Sequence, residues 1–353
     1  MRTVEIGHTG LRATEVGFGG IPIQRLSHED AVAVVRGCLD LGITLIDTAM
    51  GYTTSEERIG EAIRGRREGL VLCSKTPANG GAEARAHLEA SLRRLGVEHI
   101  DIYQLHGVSD EARWQAVTAP DGALAEMQKA QREGLIGHVG VTSHQADVAK
   151  KAVLSGQFAT MMFPLNFVGS EPGLEVLAAC REMGVGFFAM KPMGGGLLES
   201  AAAAFQYLRQ YADAIPVVGI ERVSEMRQIV ELYAQPAGLT PALQAEMERI
   251  RGELGTVFCR RCDYCQPCTA GIRISMVMNV PGMLRRMPLD QVLGEGMSAL
   301  VEAVDACQDC GECESRCPYK LPIRERMQEV LAMYREARKA FLAGHLANPP
   351  HLH

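Results

Sequence analysis

Eight short apolar segments recur through the first part of the chain, and each is followed by a longer stretch with helical periodicity. The segments are rich in Val, Ile, Leu, Phe or Met and alternate little, which is typical of strands buried on both faces of a parallel sheet. The predicted strands are residues 15–19, 44–49, 70–75, 100–105, 137–143, 160–166, 185–190 and 214–219. Eight strand–helix units within about 220 residues predict a closed (β/α)8 barrel, the TIM barrel fold.

The segments between the strands carry helix start and stop signals. Ser27 is placed to cap the first helix, and Gly42 to end it. Its apolar face consists of Val32, Val35, Cys38 and Leu39. An open doubly wound sheet is the alternative, but residues 21–26 lack the helical pattern that follows a dinucleotide-binding fingerprint. Residues 4–13 are expected to form a hairpin at the barrel floor.

Eight of the eleven cysteines stand in two groups of four near the C-terminus. The second group has the spacing C-x2-C-x2-C-x3-C-P, by which bacterial ferredoxins bind 4Fe–4S clusters. We therefore predict two 4Fe–4S clusters. The predicted ligands are Cys259, Cys262, Cys265 and Cys268 in the first group, and Cys307, Cys310, Cys313 and Cys317 in the second.

In such a run, three cysteines hold one cluster and the fourth, beside the proline, ligates the other. Cys317 is then expected to join the first three cysteines of the first group, and Cys268 the first three of the second. The first group departs from the pattern because Pro267 precedes its last cysteine, so its pairing stays open. Two structural zinc sites are the alternative, since C-x2-C pairs also suit tetrahedral zinc.

Composition and charge exclude several classes of function. The net charge is -6 and no block of Lys and Arg is present, which argues against a nucleic-acid partner. No apolar run approaches the ~20 residues that a membrane span requires. The N-terminus lacks the apolar region of a signal peptide, so we expect a cytoplasmic protein with reduced cysteines.

Polar side chains stand at the carboxyl ends of the predicted strands, where barrels of this kind carry their active sites. Asp47 lies at the end of strand two with Tyr52 shortly after, Lys75 ends strand three, and His106 follows strand four. This set resembles the tetrad of the aldo-keto reductases. The matching segments are Ile46-Asp47-Thr48-Ala49 with Tyr52, Ser74-Lys75 and Leu105-His106. With the cysteine groups, the chain resembles the branch of that superfamily that has a C-terminal ferredoxin-like domain.

The residue types match the chemistry of carbonyl reduction, which needs hydride at carbon and a proton at oxygen. Tyr52 would be the general acid, and a neighbouring Lys75 ammonium would favour its ionisation, since a phenol has an ordinary pKa of about 10. Asp47 would pair with Lys75 and hold it in place. His106 would donate to the carbonyl oxygen and orient the substrate. The alternative is a structural salt bridge beside a loop tyrosine.

The resemblance also implies NADP(H) or NAD(H) as hydride carrier, bound near the ends of the later strands. The residues implied are Ser143, His144, Asn166, Lys191, Gly194, Gly195, Gly196 and Arg222. Ser143 and His144 match the family's position for holding the nicotinamide carboxamide, and consecutive glycines let amides approach phosphate oxygens. Met162 and Met190 replace the family's glutamine and aromatic residue. Glu221 would repel a 2′-phosphate that Arg222 would bind, so the sequence leaves the choice of dinucleotide open.

The sequence thus predicts an oxidoreductase for a small carbonyl or alcohol substrate, with clusters that relay electrons or are structural. One alternative is an electron-transfer protein coupled to ferredoxin or another redox partner, with the barrel as scaffold. Another is a binding module with structural clusters. The predicted domains are the barrel (1–236), a connecting helix (237–256), a small, mostly helical ferredoxin-like iron–sulfur domain (257–342) and a disordered tail without metal (343–353).

Overall fold

The computed structural model describes residues 1–255 and 257–346, and the chain divides into two compact units. The first unit comprises Met1–Gly194 and Leu198–Ala245. The second comprises Gly195–Leu197 and the chain from Glu246 onward. Residues 347–353 of the predicted tail lie outside the described residues.

The first unit is a closed barrel of eight parallel strands, as predicted, preceded by an antiparallel hairpin. The hairpin strands are β1 (Thr3–Glu5) and β2 (Arg12–Thr14). The barrel strands are β3 (Gly17–Gly19), β4 (Leu45–Asp47), β5 (Val71–Thr76), β6 (Ile100–Leu105), β7 (Ile136–Thr142), β8 (Thr160–Pro164), β9 (Gly186–Met190) and β10 (Ala214–Gly219). Strand β10 pairs with β3 and closes the barrel.

Helices connect successive barrel strands. They are α1 (His28–Asp40), α2 (Ser55–Ile63), α3 (Gly81–Leu95), α4 (Glu111–Thr118), α5 (Ala123–Arg132), α6 (Ala146–Leu154), α7 (Glu171–Met183), α8 (Ala201–Leu208) and α9 (Val223–Ala234). A 3-10 turn, Pro22–Arg25, precedes α1. The Ser27 hydroxyl caps α1 by accepting from the Asp30 amide at 3.1 Å. Helix α3 ends at Gly96, whose φ of 64° is a left-handed conformation that glycine adopts without strain.

Alternation along the strands decides which side chains enter the barrel. Leu45, Cys73 and Ile102 belong to one buried apolar cluster, together with Ile6 and Ala13 from the N-terminal hairpin segment. The predicted packing of the hairpin against the barrel interior is therefore observed. Since side chains two residues apart on a strand share a face, the next inward positions on β4, β5 and β6 are polar. They are Asp47, Lys75 and Gln104.

The second unit is mostly helical. Helix α10 (Pro241–Leu254) spans the division between the units. It is followed by α11 (Ile274–Met278), α12 (Val280–Arg286), α13 (Leu289–Leu293), α14 (Glu295–Glu302), the 3-10 turn Ala303–Ala306, α15 (Glu312–Ser315) and α16 (Ile323–Leu342). The buried Tyr334 of α16 donates its hydroxyl to the Val292 carbonyl at 3.0 Å and ties that helix to α13. In the described part of the chain, no helix combines the length and apolarity needed to cross a membrane.

Candidate functional site

A buried ion pair lies at the carboxyl ends of β4 and β5. Lys75 Nζ is 2.6 Å from Asp47 Oδ2, and it also donates to the Thr48 carbonyl at 2.6 Å. The two charged side chains are only 1% and 5% exposed. Burial is the largest influence and acts to lower the pKa of Lys75, but the charge and hydrogen bond of Asp47, together with the interaction with Tyr52, outweigh it, and the pKa is raised above its ordinary value. The lysine is therefore held as an ammonium.

Tyr52 follows β4 in a tight turn that brings its ring to this ammonium. The ring centroid lies 5.1 Å from Lys75 Nζ. The Tyr52 amide donates to the Ala49 carbonyl, and the next residue, Thr53, has a φ of 39°. The Thr53 hydroxyl donates to Gln24 Oε1 at 2.8 Å. This hydrogen bond holds a backbone conformation that is uncommon for a residue other than glycine, so the position of Tyr52 is fixed by its neighbours.

His106 completes the predicted tetrad, directly after β6. Its ring meets the Tyr52 ring edge-on, with centroids 5.7 Å apart and an interplanar angle of 80°. Burial, with the nearby cations of Lys75 and Arg113, lowers the pKa of His106 to about 3. A neutral imidazole carries one N–H donor and one acceptor, so His106 can donate a hydrogen bond without carrying charge.

Gln104 joins this group, although the sequence reasoning did not single it out. Its Nε2 donates to Asp47 Oδ1 at 3.2 Å, and the residue is fully buried. Burial raises the pKa of the Asp47 carboxyl, and the interactions with Lys75 and Gln104 oppose that rise. Gln104 stands two residues before His106 on the inward face of β6, and this period-two relation is the signal that would have identified it.

A second buried carboxylate supports the strand that carries Lys75. The Ser74 hydroxyl donates to Glu56 Oε1 at 2.6 Å, and Glu56 is 1% exposed. Arg94 lies 3.4 Å from Glu56 Oε2 and pairs with it. Glu56 belongs to α2, the helix that begins after the Tyr52 turn. The sequence reasoning missed Glu56 because a glutamate in the first turn of a helix ordinarily faces solvent.

The residues predicted to hold a nicotinamide lie on the loops after β7, β8 and β9. Ser143 is buried and its amide donates to the Met162 carbonyl. The His144 amide donates to the Ser109 hydroxyl at 2.9 Å. Asn166 Nδ2 donates to the Lys191 carbonyl at 3.2 Å, and its Oδ1 accepts from the amides of residues 168 and 169. These bonds fix the loops, and the predicted contacts with a cofactor stay predictions.

The predicted phosphate loop has an unusual backbone conformation. Lys191, Gly194, Gly195 and Gly196 all have positive φ, between 56° and 90°. Gly195 and Gly196 group with the second unit, where their carbonyls accept from Arg286 and Arg285 at 2.9 and 3.1 Å. Arg222, at the start of α9, pairs with Glu225 at 3.1 Å and is half-exposed.

The eight clustered cysteines surround two adjacent cavities of the second unit. Four of them line one cavity: Cys259, Cys262, Cys265 and Cys317. The other four line the second cavity: Cys268, Cys307, Cys310 and Cys313. We call these the first and second cysteine sites. They combine three cysteines of one group with the last cysteine of the other, and Cys265 and Ile274 line both cavities.

The two cysteine loops achieve this convergence with the same backbone turn. Arg261 and Asp309, each just before the second cysteine of its group, have φ of 61° and 54°. Asp263 and Gly311, each just after that cysteine, have φ of 59° and 75°. Left-handed residues at both positions curl the chain, so that cysteines three residues apart line the same cavity.

The thiol sets fit a polynuclear cluster better than a single zinc ion. Within residues 1–255 and 257–346, no three side chains of Cys, His, Asp or Glu converge closely enough to hold one metal ion. Tetrahedral zinc needs four ligands at about 2.0–2.3 Å from one centre. A 4Fe–4S cluster instead takes four thiolates spread around its corners, as the cysteines are spread around each cavity.

Comparisons with protein families match both units. A family model described as the aldo/keto reductase family matches residues 15–204. A model described as a 4Fe-4S dicluster domain matches residues 258–322, the segment that contains all eight clustered cysteines.

Solved structures resemble the chain over the barrel. The holo form of aldo-keto reductase AKR11C1 from Bacillus halodurans is 21% identical, with a TM-score of 0.62, and the match covers 71% of this chain and 96% of that one. An aldo-keto reductase from Klebsiella pneumoniae in complex with NADPH is 22% identical, with a TM-score of 0.61 and coverage of 71% and 95%. At these identities the likeness shows the fold, and it agrees with the predicted barrel.

Proposed function

This chain belongs to the aldo/keto reductase family, and from that premise we propose that it interconverts a small carbonyl compound and its alcohol with NAD(P)H. The family and the 4Fe–4S domain establish an oxidoreductase. The observation that supports the finer proposal is the convergence of Tyr52, His106 and the Asp47–Lys75 pair at the ends of three adjacent strands. We infer that Tyr52 and His106 act on one substrate oxygen, with the Asp47–Lys75 pair beside the Tyr52 ring.

In the proposed reduction, Tyr52 gives the proton to the carbonyl oxygen. A phenol is a weak acid, and the Lys75 ammonium near its ring stabilises the phenolate that is left behind. Asp47 keeps that ammonium charged and in place. Because both charges are buried, their field on the phenol is screened less than it would be in water.

The neutral His106 provides the second donor. The His106 and Tyr52 rings are in edge contact, with centroids 5.7 Å apart, and we propose that both donors address one carbonyl oxygen. A histidine with a pKa of about 3 stays neutral throughout the physiological range, so its N–H orients and polarises the carbonyl but does not deliver a full proton. The proton then comes from Tyr52 alone.

The nicotinamide would supply hydride to the carbonyl carbon. We propose Ser143, His144, Asn166 and Lys191 as the residues around it, with Gly194, Gly195, Gly196 and Arg222 toward the phosphates. Support comes from the relative from Klebsiella pneumoniae that binds NADPH. Glu221, the residue beside Arg222 that would repel a 2′-phosphate, pairs with Arg25 at 3.2 Å.

We propose that each cysteine site holds one 4Fe–4S cluster. The support is the donor set, since at least four cysteines of the matched dicluster segment line each cavity. A cluster there would accept and release single electrons. We also propose a reducing, cytoplasmic location, since cysteines that ligate a cluster must not be oxidised to disulfides.

A second function is favoured by the exposure of Cys310. In that proposal the chain is an electron-transfer protein coupled to ferredoxin or another redox partner, and the barrel is a scaffold. An exposed ligand brings the second cysteine site to the surface, where a one-electron carrier can approach it. The adjacency of the two cavities, which share Cys265 and Ile274, would then connect the two clusters.

One anaerobic experiment separates the two functions. The protein, purified with iron supplied, is mixed with NADPH or NADH, with and without a panel of small aldehydes and ketones. Nicotinamide absorbance and the visible cluster band are followed together. Nicotinamide oxidation that requires a carbonyl supports the reductase. Bleaching of the cluster band without any carbonyl supports the electron-transfer protein, and no oxidation with any carbonyl would overturn the reductase proposal.

A further inference from the structure

The two cysteine loops share a backbone turn but differ in charge. Arg260 and Arg261 stand between the first two cysteines of the first group, where the second group has Gln308 and Asp309. The equivalence of Arg261 and Asp309 is supported by their matching left-handed φ angles. A cation at one site therefore occupies the place of an anion at the other.

The first cysteine site lies among cations. Arg260 lines its cavity, and its guanidinium stacks 4.1 Å from the ring centroid of Tyr319, which lines the same cavity. Arg261 stands directly before Cys262 and is partly buried. Asp263 is the anion of this loop, so the loop carries one excess positive charge.

The second cysteine site lies among anions. Arg324 lines its cavity, but this one guanidinium is shared between Asp309 at 2.7 Å and Glu314 at 2.9 Å. The remaining acid at the cavity, Glu312, pairs with Arg316. The group around this site therefore carries one excess negative charge.

Resting on the proposed pair of 4Fe–4S clusters, we propose that the two sites are electrochemically unequal, with the higher midpoint potential at the first cysteine site. Reduction of a cluster adds one electron and hence one negative charge, and no bond or proton changes place. Cations close to the cluster stabilise that added charge and anions oppose it. The first electron added to the protein then resides at the Arg260–Arg261 site.

Solvent exposure acts in the opposite direction, because water also stabilises the reduced cluster and Cys310 is exposed. The other three cysteines of the second site are partly or fully buried, as are all four of the first. Exposure therefore differs at one ligand, whereas the net charge around the two sites differs in sign. Arg260 and Arg261 are partly buried, whereas Asp309 is exposed. Charges removed from water act more strongly on a nearby site, so we expect the two arginines to decide the order.

The test is a redox titration of the full-length protein with dithionite, followed by electron paramagnetic resonance. In the wild type we expect two successive one-electron reductions. Their midpoint potentials should differ by about 59 mV or more, which is a tenfold difference in the equilibrium constant for one electron. Coincident midpoints would overturn the inference. Absence of any 4Fe–4S signal, with four or more thiols free to alkylation, would instead contradict the proposed clusters.

Two matched variants assign the potentials to sites. Asparagine tolerates the left-handed conformation, so Arg261→Asn and Asp309→Asn place the same neutral residue at equivalent positions. We expect R261N to lower only the higher midpoint and D309N to raise only the lower one, each by up to about tenfold in the electron equilibrium. The double variant should bring the midpoints together.

A control variant removes a cation elsewhere in the same unit. Lys339 is exposed on α16, fifteen residues beyond Arg324 and thus about 22 Å along the helix. Lys339→Gln should leave both midpoints unchanged. If R261N lowers neither midpoint while both signals persist, the arginines do not set the order and the inference fails.

Discussion

The ammonium of Lys75 and the carboxylate of Asp47 lie 2.6 Å apart at the ends of neighbouring strands, both almost inaccessible to solvent. Desolvating two charges costs several kcal/mol per ion, and their attraction offsets that cost only when further hydrogen bonds complete the pair. Here the Thr48 carbonyl accepts from the ammonium, and Gln104 donates to the carboxylate. The barrel thus buries a costly ion pair at the position where the proposed mechanism needs an ammonium beside the Tyr52 phenol.

Removing the lysine should therefore destabilise the barrel. Lys75→Met leaves the Asp47 carboxylate buried without its partner, and we expect a loss of about 3–5 kcal/mol. Trp114, the single tryptophan and a buried residue of α4, reports barrel unfolding by its fluorescence in urea.

A double variant checks the cause of that loss. Asp47→Asn combined with Lys75→Met removes both charges, and it should recover part of the stability that Lys75→Met loses. If the double variant is less stable by the sum of the two single effects, the two residues do not act as a coupled pair.

Gln104 should tune the protonation of Asp47. Gln104→Leu removes the donor to Asp47 Oδ1, which raises the carboxyl pKa further because burial is then less opposed. The acid limb of the pH–activity profile should move to higher pH. Hydrogen bonds to charged groups contribute about 1.5–3 kcal/mol, so a shift of about one to two pH units is expected.

The control for Gln104 is another buried glutamine of the same barrel. Gln206 of α8 accepts from the Gly238 amide at 3.2 Å and has no bond to the tetrad among the described residues. Gln206→Leu should lower stability but leave the acid limb in place. If the acid limb of the pH–activity profile moves equally in both variants, general destabilisation causes the shift and the bond to Asp47 does not.

His106 should make the barrel sensitive to acid. Its pKa is about 3 when folded and about 6.5 when unfolded. As the pH falls below 6.5, the unfolded state gains a proton that the folded state does not bind, so stability decreases between these two values. His106→Gln should lose less stability than the wild type between pH 7 and about pH 5, as measured by urea unfolding. An equal loss in both proteins would contradict the low pKa of His106.

The crossed pairing of the cysteines predicts a pattern of iron loss. Cys317→Ser should remove the same electron paramagnetic resonance signal as Cys262→Ser, because both residues line the first cysteine site. The double variant of these two should lose no more iron than either single one, about half of the total. Cys307→Ser should remove the other signal. Cys38→Ser, at a buried thiol of α1, is the matched control and should keep all the iron.

The barrel could be predicted from sequence because its strands are rich in apolar residues and several of the connecting helices end at a glycine. Strand ends were less certain. The strand predicted for residues 44–49 is observed as Leu45–Asp47. Thr48 lies outside it, because its carbonyl accepts from Lys75 and its hydroxyl donates to the Ser55 hydroxyl. The fold and family could thus be predicted from local sequence patterns, whereas the ends of the strands depended on tertiary hydrogen bonds.

The supporting residues of the site were not accessible in the same way. Gln104 and Glu56 gain their roles only when strands and helices distant in sequence meet, at separations of 57 and 18 residues from their partners. The opposite charges of Arg261 and Asp309 were visible in the sequence, but their equivalence depends on the left-handed turn that each loop adopts.

The proton donor is the most direct point at which to test the proposed reduction. Tyr52→Phe deletes one hydroxyl and leaves the ring beside Lys75 and His106. Single-turnover oxidation of NADPH or NADH by an accepted carbonyl should slow by about 10²–10⁴-fold in this variant, while nicotinamide affinity stays unchanged. Tyr211→Phe, at a barrel tyrosine that packs on Tyr207, is the control and should react like the wild type. If Tyr52→Phe transfers hydride as fast as the wild type, Tyr52 is not the acid and the proposed mechanism is wrong.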